Sequence, residues 1–156
     1  MSNIYNLFKF LEKKRGTETP LQVKLLYAPD ELTDEDLNVK GNLDLYNSSL
    51  DSLPDGLKVG GDLNLGYAPI TSLPDNLKVG GYLSLVHSPI TSLPNNLSVG
   101  SSLYLGITPI TSLPDNLKVE KDLYLQGTPL AKKYSKEEII KMILDKGGYF
   151  KGNIHV

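Results

Sequence analysis

Apolar residues recur along this chain at a spacing of twenty. Leucine stands at 43, 63, 83, 103 and 123, and again two residues further on at 45, 65, 85, 105 and 125. In the unit that begins at Leu63 the remaining apolar positions are Ile70, Leu73, Leu77 and Val79, and neighbouring units repeat them. A period of this length predicts a solenoid, each unit one rung stacked on the next. Leu63-x-Leu65 alternates as a short strand with one buried face does, and a slip of one residue would turn both leucines to solvent. Pro69 cannot donate to a ladder, so the strand ends by that point. Pro74 opens a second bend, predicted as a turn or 3₁₀ segment through Asp75 and Asn76. Gly80-Gly81 frees the backbone to enter the next strand. Burying six apolar side chains does not offset the entropy of ordering a whole unit, so a unit folds only against its neighbours.

The ends break the pattern. Residues 2–15 predict an amphipathic helix whose buried stripe is Ile4, Leu7, Phe8 and Leu11, with Lys13, Lys14 and Arg15 at its C-terminal end and Gly16 as the stop. Residues 1–16 are expected to cap the open apolar end of the first rung; a docking helix for a partner or membrane is the other reading. Repeats are expected over 21–130. The first is degenerate: Val23 and Leu25 lie twenty residues before Leu43 and Leu45 and predict a strand, while Glu31 to Asp36 replace the SLPDG segment. Residues 131–156 form the expected C-terminal cap. There Ser135 and Glu138 have capping-box spacing, Ile139, Ile140, Ile143 and Leu144 supply an apolar face, and Gly147-Gly148 ends the helix. Ile154-x-Val156 predicts a seventh and last strand, so the helix would lie on the convex side of an enlarged final unit.

With ITS before it, LPDNLKVGGYLSL (residues 73–85) resembles a leucine-rich repeat, closest to the short bacterial kind in which TSLP precedes an L-x-L or L-x-V strand. The resemblance implies an α/β-type solenoid of mainly short parallel strands with a turn or 3₁₀ convex side, a helical N-terminal cap and a helix–strand C-terminal cap. Such repeats occur in type III-secreted effectors, and similar short reading frames are familiar from bacteriophages. The resemblance thus implies a phage or bacterial protein that blocks or sequesters a host or defence protein, in the host cytoplasm if phage-encoded. The family places asparagine three residues after the second strand leucine, to hold the bend. Ala28, Ser48, Ala68, Ser88, Thr108 and Thr128 stand there instead. Serine and threonine replace that hydrogen bond in part and alanine does not, which leaves the bend to Pro29, Pro69, Pro89, Pro109 and Pro129.

A length of 156 residues suits one domain, and a net charge of −2 with a pI near 5.7 lacks the basic face of a nucleic-acid binder. Cysteine is absent, which excludes a disulfide framework, thiolate metal ligands and a cysteine nucleophile, and fits a cytoplasmic protein. No apolar run approaches the roughly 20 residues of a membrane span, and Lys9, Glu12, Lys13 and Lys14 interrupt any signal-peptide pattern. The Gly-Gly pairs recur with the repeat and lack the Lys-Ser/Thr of a phosphate loop. His87 and His155 have no ligand neighbour at helical spacing and read as surface residues. Asp55, Asp75 and Asp115 with Lys58, Lys78 and Lys118 read as exposed i, i+3 pairs on the outer face. No catalytic constellation, metal set or cofactor motif emerges, so an enzyme is not expected.

Candidate function lies between the strand leucines. In a parallel stack, equivalent residues of successive rungs lie about 4.8 Å apart and form rows. One row is Asn42, Asp62, Tyr82, Ser102 and Asp122; the next is Lys24, Asp44, Asn64, Ser84, Tyr104, Tyr124 and His155; the third is Leu26, Tyr46, Gly66, Val86, Gly106 and Gln126. Tyr46, Tyr82, Tyr104 and Tyr124, with Asp44, Asp62, Asn64, Ser84, Asp122 and His155, are the candidate partner-binding residues, since tyrosine among small polar groups favours protein contact. Tyrosines also stack simply as good strand residues. The expected partner is a protein, with neither nucleic acid nor membrane. Self-association into a homo-oligomer, as a structural or assembly component, is the alternative.

Overall fold

Each regular unit makes two short strands rather than the single strand expected. In this computed structural model, which describes residues 3–16 and 18–156, β1 (Asn38–Val39), β3 (Lys58–Val59), β5 (Lys78–Val79), β7 (Ser98–Val99), β9 (Lys118–Val119) and β11 (Tyr149–Phe150) form one parallel sheet in that order. The second sheet contains β2 (Leu43–Asp44), β4 (Leu63–Asn64), β6 (Leu83–Ser84), β8 (Leu103–Tyr104), β10 (Leu123–Tyr124) and β12 (Ile154–His155), again in chain order. Register follows the repeat: Leu43 faces Leu63, Leu63 faces Leu83, Leu83 faces Leu103, and Leu103 faces Leu123. The fold is a parallel-strand β-solenoid with helices at its N-terminal end and a helix and strand at its C-terminal end. The first sheet forms because Leu57-x-Val59 alternates as Leu63-x-Leu65 does: Leu57, Val59, Leu63 and Leu65 are all buried, whereas Lys58 points out.

The glycine pair makes the corner between the sheets, and its role is spacing. A Cβ on Gly80 would run into the carbonyl oxygen of Gly60, and one on Gly100 into that of Gly80. The amides of Gly60, Gly80 and Gly100 reach the carbonyls of Val39, Val59 and Val79 at 2.7, 2.8 and 2.8 Å. At Glu120 and Lys151, where side chains are present, the matching bonds to Val99 and Val119 are 3.1 Å. The second bend is a turn, not a 3₁₀ helix. Gly56, Asn76, Asn96, Asn116 and Gly147 occupy it with positive φ, residue types that adopt this conformation at least cost.

Three expectations about the ends are corrected. Val23 and Leu25 lie in a helix, α2 (Leu21–Tyr27), followed by a 3₁₀ turn at Pro29–Glu31, so the second sheet has six strands and not seven. Leu25 still fills the core, while as a helix the segment satisfies its own backbone groups and leaves β2 as the edge strand of the sheet. The first helix, α1, spans Asn3–Arg15 and stops at Gly16; its expected start at Ser2 and the side chain of Arg15 lie outside the described residues. Its buried stripe is centred on Tyr5, 2% exposed, while Ile4 and Leu7 are 48% and 55% exposed. Polar clamps select that face: Lys9 pairs with Glu31 at 2.9 Å, and Thr19 donates to Glu12 at 3.2 Å.

At the other end α3 (Pro129–Lys133) and α4 (Lys136–Asp145) replace the ITSLPDN segment of a regular unit. Leu123 pairs with Ile154 and Lys118 with Tyr149, so this unit is longer than the others and the register still closes. The Ser135–Glu138 capping box forms, with Ser135 N donating to Glu138 at 2.8 Å and Glu138 N to Ser135 Oγ at 3.3 Å. Ile139 and Ile143 are buried, but Leu144 is exposed, since it lies about 100° round the helix from Ile143. Asp115 pairs with Lys146 at 3.3 Å rather than with Lys118. Among the described residues no ion pair joins Asp55 to Lys58 or Asp75 to Lys78.

Candidate functional site: the outward face of the second sheet

Each strand of the second sheet runs into a tight turn. The amides of Ser48, Ala68, Ser88, Thr108 and Thr128 donate to the carbonyls of Leu45, Leu65, Leu85, Leu105 and Leu125 at 3.0–3.2 Å. The hydroxyls of Thr108 and Thr128 add a second bond to Leu105 and Leu125, each 2.7 Å, taking up part of the asparagine's expected work. Ala68 has the backbone bond without a side-chain one.

The row that begins at Asn42 is a polar ladder along the corner. Asn42 Oδ1 accepts from Asp62 N at 2.8 Å, Asp62 Oδ1 from Tyr82 N at 2.9 Å, Ser102 Oγ from Asp122 N at 3.3 Å, and Asp122 Oδ1 from Asn153 N at 2.7 Å. These bonds satisfy amides that the strands leave over. The Asn153 amide is the main cause that holds the Asp122 carboxyl below its ordinary range. Tyr82 interrupts the ladder and turns its ring to the neighbouring row.

In that second row the predicted residues meet. Asn64 pairs with Asp44 on one side and Ser84 on the other; Ser84 then pairs with Tyr104, Tyr104 with Tyr124, and Tyr124 with His155. Lys24 does not join it, because it lies in α2 and pairs with Asp36 at 2.8 Å. Tyr104 stacks on Tyr124 with centroids 4.5 Å apart, Tyr124 on His155 at 4.3 Å, and Tyr82 meets Tyr104 edge-on at 5.9 Å. Tyr124 donates to Asp122 Oδ2 at 3.3 Å, and His155 Nε2 lies 3.5 Å from that oxygen. Asp44 Oδ1 accepts from Tyr46 N at 3.1 Å and Asn64 Oδ1 from Gly66 N at 3.2 Å.

Tyr46, on the third row, leans toward the next rung and lays its ring against Gly66, where a Cβ would come within 3.2 Å of it. Tyr46, Tyr82 and Tyr104 thereby wall a shallow cleft of about 310 Å³ floored by Asn64, Ser84 and Val86. Burial raises the pKa of Tyr82, and the nearby carboxylates of Asp62 and Asp44 add to the shift. Burial and then Asp122 raise that of Tyr124. The outward rows of this sheet carry Asp44, Asp62 and Asp122 and no lysine or arginine, while the other sheet exposes Lys58, Lys78 and Lys118. A second cleft, lined by Leu25, Leu26, Pro29, Leu32, Leu50 and Leu53 among others, is the packing seam between α2 and the first rung.

Sequence reasoning missed a fourth row, one residue beyond Tyr46. Asn47, Tyr67, His87, Ile107 and Gly127 take the third position of the strand-end turn, all with positive φ. Glycine and asparagine suit that conformation and histidine tolerates it; tyrosine and above all β-branched isoleucine do not. The other bend of the same chain uses only asparagine and glycine for the same geometry. The bulky residues are exposed: Tyr67 touches Tyr46 edge-on at 5.5 Å and stacks on His87 at 4.4 Å. Strain of this kind collects where a surface is used. The one signal in the sequence was the column itself, asparagine and glycine at its ends and three bulky residues between. Relieving the strain should stabilise the fold: Ile107→Asn is expected to raise the unfolding free energy by about 1 kcal/mol in denaturant titration. A loss instead would mean that the Ile107 contact on Gly127 outweighs the strain.

Among the described residues no group of three or more His, Cys, Asp or Glu side chains is placed to hold a metal ion, and no helix is long and apolar enough to cross a membrane. The class defined by these observations is a parallel β-solenoid with one aromatic, acidic face and one face bearing lysines. Against models of protein families, curated proteins and solved structures, the chain matches none.

Proposed function

We propose that the protein is a non-enzymatic interaction module of leucine-rich-repeat kind that holds a protein partner on the outward face of its second sheet. The observation that carries this is the exposed ridge of Tyr67, His87 and Ile107 beside the tyrosine cleft, strained at Tyr67 and Ile107, a costly display with no part in the core. The leucine-rich-repeat assignment rests on the L-x-L strand rows, the Leu-Pro turn and the parallel register. The second strand of each unit and the missing asparagine set the chain apart from the family's usual pattern.

The test needs a partner recovered by cross-linking from cells that make the protein. Tyr104→Ala with Tyr124→Ala is then expected to weaken binding by about 2 kcal/mol or more per side chain, as interface tyrosines do. The fold should lose the ring contacts with Tyr82 and His155, the stack between the two tyrosines and the Tyr124–Asp122 bond, at about 0.5–1.5 kcal/mol per ring pair. Lys78→Ala with Lys118→Ala, on the other sheet, should leave affinity unchanged. The reverse pattern would move the site to the lysine face. Salt-sensitive self-association in sedimentation would favour the alternative, because the lysine face and the acidic face of two copies are complementary.

A further inference from the structure

We infer that the tyrosine cleft receives a basic side chain, the guanidinium of arginine or the ammonium of lysine, presented by the partner; this rests on the reading that the partner docks on this face. Three tyrosine rings, Tyr46, Tyr82 and Tyr104, line one shallow cavity of about 310 Å³. A cation against such rings is attracted by their quadrupoles, which is how aromatic cages select charged nitrogen. The floor supplies acceptors in Asn64 and Ser84. Asp44 and Asp62 each use one carboxylate oxygen, Oδ1, to accept a backbone amide, from Tyr46 and Tyr82 respectively. Both lie near Tyr82, whose phenol is pushed upward by burial first and then by these two neighbours.

Charge complementarity settles the sign of the occupant. The outward rows of this sheet hold aspartates and neither lysine nor arginine, so an acidic peptide is repelled and a basic one drawn in. A neutral side chain of similar length would gain the ring contacts without the electrostatic part. A sugar would also stack on tyrosine, but it would have no use for the carboxylates' charge. The ridge of Tyr67 and His87 adjoins Tyr46, extending the surface on which the flanking residues of a peptide would lie.

The test is a nuclear magnetic resonance titration of the whole protein, following the amides of Asn64, Ser84 and Val86. The probes are acetyl-Gly-Arg-Gly-amide and its lysine, glutamine and glutamate counterparts, with maltose as the sugar. Saturable shifts are expected with the arginine and lysine peptides, at affinities roughly tenfold or more above the glutamine peptide. Asp44→Asn with Asp62→Asn keeps the side-chain oxygens that accept from Tyr46 and Tyr82 and removes both charges. That variant should bind the arginine peptide roughly tenfold more weakly at unchanged melting temperature. Equal binding of the glutamine peptide, stronger binding of maltose, or full retention of arginine binding in the double variant would each overturn the inference. Should the peptides fail to discriminate while Tyr104→Ala with Tyr124→Ala still weakens the partner, the docking face stands and only its basic specificity falls. If arginine is preferred but that tyrosine variant leaves the partner unaffected, the cleft's preference stands and the docking face falls.

Discussion

Alanine at Leu103 is expected to lower the unfolding free energy by about 2–5 kcal/mol. The side chain is fully buried, and a rung lies on either side of it, with Leu83 and Leu123 as its register partners. Neither neighbour can close over the gap without breaking its own register, so the cavity persists and the loss falls toward the upper end of that range. Leu83→Ala should behave alike. Leu43→Ala should cost less, because its strand has a rung on one side only. A denaturant titration in which Leu103→Ala lost under about 1 kcal/mol would contradict the packing described.

Gly80→Ala is the second large effect. The added methyl would meet the backbone carbonyl of Gly60, which cannot swing aside as a side chain can. The rungs must part at that corner, as they do at Glu120, and the cost is about 1–3 kcal/mol. Gly41→Ala is the control. Nothing lies within 4 Å of a Cβ there, so it should be neutral or stabilise by about 0.4–1 kcal/mol through the unfolded chain. Melting curves of the two variants side by side decide it: equal losses would mean that the glycine pair serves turn formation and not rung spacing.

The second sheet was legible because the leucine period and the i, i+2 alternation agree at every unit from Leu43 to Leu123. Lys58-Val59 and its equivalents were not read as strands, since two residues beside a glycine pair look like part of a turn. Val23 and Leu25 carry the same spacing as Leu43 and Leu45 and still fold as helix. Spacing does not tell a strand from a helix at the end of a stack: the edge of β2 was open to pairing there, and the segment forms α2 all the same. In α1 the apolar stripe was visible, but the choice of Tyr5 over Ile4 and Leu7 depended on Glu31 and Thr19, distant in sequence. The face rows of the candidate site followed from the period alone. The cleft within them did not, because it depends on how the Tyr46 ring lies across Gly66 one rung away. The left-handed turn residues were hidden for a simpler reason: nothing in tyrosine or isoleucine announces that conformation.

The in-phase register also makes the molecule a ruler. Core and face residues alternate along each strand, so one whole unit can be removed or added without turning any side chain to the other side. Excising residues 83–102 would join Tyr82 directly to Leu103, strand entry to strand entry. Tyr104 would then stand beside Asn64, and every group beyond it would move by one strand spacing of about 4.8 Å. The breadth of the aromatic face is therefore set by counting repeats, and a lineage can rescale its reach in whole steps while the interior stays as it is.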